Sequence, residues 1–70
     1  MNNSFLSSVS HDIRSNTLEA TWLEEVTDEL GVVIDYRRKR CHNYSAEQKA
    51  DFLADLGEDV GQKYVALAGW

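Results

Sequence analysis

Residues 17–44, TLEATWLEEVTDELGVVIDYRRKRCHNY, decide the fold. Two runs rich in β-branched and aromatic residues flank a corner that contains Gly31, and this pattern predicts a β-hairpin. Leu18, Ala20, Trp22 and Val26 share the even face of the first strand, and Val32, Ile34 and Tyr36 share an even face of the second. Both apolar sets lie on one side of the sheet only if paired positions sum to an even number. A three-residue loop Glu29-Leu30-Gly31, closed by Asp28 opposite Val32, satisfies this and puts Gly31 at the position that needs a left-handed residue. The expected pairs are then Val26 with Ile34, Glu24 with Tyr36 and Trp22 with Arg38. A slip of one residue turns the second apolar set to the opposite side, which favours this register. One pair argues against it: Glu25 opposite Asp35 sets like charges side by side.

The flanks complete a small α+β domain. Residues 1–16 are rich in Ser and Asn and read as a flexible or loosely docked arm, in which Val9 and Ile13 dock as part of a third strand or a short helix. After the hairpin, Ser45-Ala46-Glu47-Gln48 matches a capping box at the start of a helix. Lys49, Phe52, Leu53 and Leu56 form its inner side, Asp51 and Asp55 face water, and Gly57 stops it. A second helix is expected from near Asp59, with Val60, Tyr64, Leu67 and Ala68 as one stripe and Gly69 as its end. The predicted fold is a single domain over residues 17–70: a β-hairpin, extended by the arm if it forms a strand, packed against one or two C-terminal helices.

Seventy residues with 43% hydrophobic and 27% charged composition suit one small folded domain. A chain of this size buries roughly 60–65% of its unfolded surface, so its core is marginal. A single cysteine forms no internal disulfide, no ligand spacing suggests zinc, and a weak homodimer through the helices or the Trp22 face would complete the core. The first residues lack the basic and apolar runs of a secretory signal, and no later stretch is long enough to span a bilayer. With one free cysteine, a cytoplasmic location is expected.

Net charge is -5, from 7 basic and 12 acidic residues. Arg37, Arg38, Lys39 and Arg40 are four of those seven, so an acidic body carries one basic strand. Alternation sends Arg38 and Arg40 to the Trp22 face and Arg37 and Lys39 to the other. Two uses compete. Trp22, Tyr36 and Tyr44 offer flat surfaces for bases beside a phosphate-binding run. Against this, Glu19, Glu24 and Glu25 partner the cations across the hairpin, Arg38 stacks on Trp22, and the acidic body opposes nucleic acid.

Catalytic constellations are missing from the pattern. Cys41 and His42 are adjacent in a strand and point to opposite faces, so they share no small ligand, and Cys41 is expected to be part-buried. Glu24-Glu25, Asp28-Glu29 and Glu58-Asp59 read as solvated surface, and the glycines are too scattered for a phosphate loop. The sequence therefore points to a non-enzymatic protein with no cofactor and no metal. Trp22, Tyr36, Arg37, Arg38, Lys39 and Arg40 are the partner-binding candidates, because Trp, Tyr and Arg dominate binding hot spots.

The run LEATWLEEV, a turn, YRRKRCHNYSAEQKADFLADLG and a closing YVALAGW together resemble small uncharacterised proteins of tailed phages and prophages. The resemblance spans about residues 18–70 and carries no site residues. It implies an accessory protein acting by protein–protein interaction, such as an inhibitor that occupies a host defence complex in the host cytoplasm. The alternatives are a component of the virion or its assembly, and nucleic-acid binding through the basic strand.

Overall fold

Turn chemistry and hydrophobic alternation produce a three-stranded antiparallel sheet, and a capping box then opens a helical layer. A computed structural model describes residues 4–70, and residues 1–3 of the arm lie outside the described residues. Strand β1 is Ser4–Asp12, β2 is Thr17–Thr27 and β3 is Val33–Tyr44; a 3₁₀ turn, Ala46–Gln48, leads into α1, Lys49–Leu56, and α2 is Glu58–Ala68. The sheet order is β1-β2-β3, so the α+β expectation holds and the N-terminal stretch supplies the third strand. Ile13 does not dock. It stands 84% exposed in the β1–β2 turn, where Asp12 accepts the Arg14 backbone N–H at 3.0 Å.

The β2–β3 loop forms as its sequence requires. Gly31 has φ +82°, the Asp28 backbone N–H donates to the Val32 carbonyl at 3.0 Å, and Thr27 faces Val33. Beyond this point the expected register is wrong. Val26 faces Asp35, Glu25 faces Tyr36, Glu24 faces Arg37 and Leu23 faces Arg38, while Trp22 faces Arg40 rather than Arg38. Two bulges on β3, with Ile34 and Lys39 as the extra residues, account for both shifts. The first removes the like-charge pair of Glu25 and Asp35 that the regular register contains.

The core sits at the end of the sheet far from the hairpin loop. Leu18, Ala20 and Tyr44 share one face there and are covered by Phe52, Val65 and Ala68. Edge-to-face contacts run from Tyr44 to Phe52 at 5.2 Å and from Phe52 to Trp70 at 5.7 Å. The Trp70 indole N–H donates to the Asn16 carbonyl at 3.3 Å, which ties the C-terminus to the β1–β2 turn. At the helix start, the Gln48 side chain accepts the Ser45 backbone N–H at 3.0 Å.

The helical faces differ in detail from expectation. Phe52 is buried with Leu53 and Leu56 packed beside it, but Lys49 is exposed. In α2 the buried stripe is Gly61, Val65 and Ala68, whereas Val60 and Leu67 are 39% and 65% exposed. The stripe is rotated by one residue because α1 approaches at Gly61. A Cβ at that position would lie 2.6 Å from Leu53 Cδ2 and 3.4 Å from Leu53 Cα.

Gly61→Val forces two further methyl groups into this crossing and is expected to destabilise the fold by about 2 kcal/mol, as overpacking of a closed contact does. Urea denaturation measures it. Adding Leu53→Ala should recover part of the loss, since the two positions are in contact.

Candidate functional site

Past the core, the helices end and both faces of the sheet emerge. On the helix-bearing face, Trp22 and Glu24 follow Ala20 along β2, and Arg40 and Arg37 stand opposite them. The Arg40 guanidinium lies over the Trp22 ring, 4.1 Å from its centroid. An Arg in this position is attracted to the ring face. The sequence assigned that stack to Arg38; the Lys39 bulge gives it to Arg40.

Asp55 on α1 holds the other side of Arg40, with 3.6 Å between Nη2 and Oδ2. The same carboxylate accepts the Tyr44 hydroxyl at 2.7 Å. Asp55 is therefore not simply a solvated residue. It links the buried Tyr44 to the exposed stack, so the core positions the site. Tyr44 itself is fully buried and offers no ring for a base to stack on.

Glu24 is 9% exposed and is paired with Arg37, whose Nε–H donates to it. Among the described residues Arg38 and Lys39 form no ion pair, and neither Glu19 nor Glu25 pairs with a cation. The expected division of the basic run also fails. Arg37 and Arg40 face the Trp22 side, Lys39 lines a cleft with Ser4, Trp22 and Arg40, and Arg38 stands opposite Leu23 on the other side. A bulge re-aims side chains in this way, because one strand advances two residues while its neighbour advances one.

The second face carries no helix. Phe5 lies opposite Leu23 and meets Tyr36 edge-to-face at 5.7 Å. Phe5 is 41% and Tyr36 52% exposed, and Arg38 lies alongside. Cys41 is also on this face and is exposed, not part-buried, with the Thr21 hydroxyl 3.6 Å from its sulfur. The expectation failed because the helices cover the opposite face.

The sequence nominates Trp22, Tyr36 and the four cations; the structure sets Phe5 against Tyr36, Ser4 in the Lys39 cleft and Asp55 against Arg40, none of which the sequence singles out. Phe5 and Ser4 enter through β1, whose pairing the sequence does not determine. Asp55 is exposed, and the Tyr44 hydroxyl that it accepts is eleven residues away in the chain, beyond the reach of helical spacing.

No family model, curated protein or solved structure matches this chain. The functional reading consequently rests on the chain's own chemistry. Among the described residues no group of three or more His, Cys, Asp or Glu is placed to hold a metal ion, and no helix is long and apolar enough to cross a membrane.

Burial raises the Tyr44 hydroxyl to about 12 from its ordinary 10.0, reinforced by its hydrogen bond to Asp55 and that carboxylate's charge, and opposed by Arg40. Below pH 10 both folded and unfolded chains keep this proton and the stabilising contribution is complete. Above it the unfolded chain ionises first, and the contribution is lost as pH rises through about 12. Ultraviolet absorbance titration should show a tyrosyl step near pH 12 that disappears in Tyr44→Phe. At neutral pH that variant should be about 1 kcal/mol less stable, reflecting one lost hydrogen bond.

Proposed function

We propose that this protein is a non-enzymatic docking module that binds an acidic protein surface through the distal half of its sheet. The observation that carries this reading is the Arg40 guanidinium stacked on Trp22 at 4.1 Å, beside a Lys39 that lacks an acidic partner among the described residues. A flat aromatic ring with a pre-oriented guanidinium is the composition of a binding hot spot. Arg38 and the Phe5–Tyr36 pair extend the surface to the second face. Local charge supports an acidic contact on the partner: Arg38 and Lys39 carry no acidic partner among the described residues and attract an acidic patch at short range, against a body whose net charge is -5. On the phage resemblance, the partner is a host complex, and the module acts as an accessory inhibitor in the host cytoplasm.

Nucleic acid is a poorer fit. Arg37 and Arg40 are already paired with Glu24 and Asp55, and the acidic body repels a polyanion. Four neutralised phosphates would give a salt slope of about -3.6. Filter binding with mixed DNA and RNA is expected to show no association with that slope.

Trp22 packs against the edge of the core without being fully enclosed. Trp22→Ala should cost clearly less than the roughly 3–5 kcal/mol of a fully buried tryptophan while abolishing partner binding. Thermal melts and affinity capture run side by side on wild type and variant measure both effects. A folded variant that retains its partner would remove the distal sheet as the docking surface and turn attention to the acids around Glu47, Asp51 and Asp55.

A further inference from the structure

The cleft at the Lys39 bulge has the size and charge of a site for one side chain. It is an open cleft of about 230 Å³ lined by Ser4, Trp22, Lys39 and Arg40. Pockets for cofactors and drug-sized ligands start at roughly 300 Å³, so this one is below the size of a nucleotide site. Its charge is also specific. Lys39 and Arg40 contribute two positive charges and Asp55, against Arg40, removes one, leaving a net of +1. A single negative charge matches that balance better than a phosphate dianion does.

The donors are of two kinds. Arg40 lies over Trp22 and has one nitrogen, Nη2, near Asp55, and a guanidinium carries further N–H donors. Lys39 brings an ammonium without an acidic partner among the described residues, and Ser4 lines the wall. A planar carboxylate accepts hydrogen bonds from both cations, and charge-assisted bonds of this type are the strong ones. The Trp22 ring offers apolar contact to the methylenes that carry it.

We propose that this cleft is a carboxylate-binding pocket and that it takes an aspartate or glutamate side chain of the partner protein. The assignment to a protein side chain rests on the docking reading above; the affinity for carboxylate does not. The bulge makes the pocket, because in an unbroken strand Lys39 and Arg40 would point to opposite faces.

The probe is N-acetyl-glutamate amide at low, constant ionic strength, followed by nitrogen–proton correlation spectra at the Trp22 indole and Arg40 Nε signals. N-acetyl-glutamine amide and inorganic phosphate are the comparison ligands. The glutamate probe should shift both signals saturably, with half-saturation on the order of 10 mM for one charge-assisted contact. The glutamine probe should not. Lys39→Gln should weaken the glutamate probe at least fivefold with an unchanged melting temperature, and Arg40→Lys, which keeps the charge but loses the planar fork, should weaken it too.

Equal shifts from the glutamine probe, or no saturable shift, would overturn the pocket. Phosphate saturating the same signals tenfold more tightly would overturn the carboxylate assignment. A failed titration with Trp22→Ala still losing its partner would leave the docking reading standing. A successful titration with Trp22→Ala still capturing its partner would leave the pocket and sink that reading.

Discussion

The helical layer is too short for the sheet it covers, and the remaining features of the molecule follow from that mismatch. Strand β3 has 12 residues, about 40 Å at the usual rise per residue, whereas α2 has 11 residues and is about 16 Å long. The helices therefore close over Leu18, Ala20 and Tyr44 and cannot reach the hairpin loop. Everything between Trp22 and Val33 depends on its own cross-strand contacts. Leu30, Val32, Val33, Ile34 and Tyr36 stand exposed there beside the cations of β3, because that half of the sheet faces water on both sides.

An exposed three-stranded sheet of this length needs protection at its edges. On β3 two bulges and four consecutive cations provide it, since a bent, charged edge is a poor template for another strand. The same features make the candidate site. The Lys39 bulge prevents regular edge pairing and also gathers Lys39 and Arg40 around Trp22, so a device against aggregation supplies recognition chemistry. Asp55 couples the two halves: it accepts the Tyr44 hydroxyl from the core and holds Arg40 in the site. The stack is thereby positioned by the best-packed part of the molecule.

The elements and the hairpin loop were legible in the sequence because each has a local cause. Gly31 marks the loop, Gln48 caps the first helix, and Gly57 and Gly69 end the two helices. Phe52 was placed in the core from helical spacing, and the partner-binding candidates came from residue type alone. Bulges have no such local signature. Ile34 ends the apolar run Val32-Val33-Ile34 and Lys39 stands between Arg38 and Arg40, so residue type does not mark which position is the extra one. The like-charged Glu25 and Asp35 were the trace of the first bulge, and the second had none. Cys41 departs from expectation because the identity of the covered face depends on helix placement, which strand periodicity alone does not determine; Asp55 is exposed as expected, and its contacts to Tyr44 and Arg40 depend on that same placement.

The register at the Lys39 bulge determines which cations stand with Trp22. Cross-strand nuclear Overhauser effects between backbone protons of β2 and β3 test it directly. Contacts pairing Trp22 with Arg40 and Leu23 with Arg38, with Lys39 unpaired between them, are the predicted result. An unbroken ladder that pairs Trp22 with Arg38 would contradict the account, since Lys39 and Arg40 would then lie on opposite faces and the site would not exist.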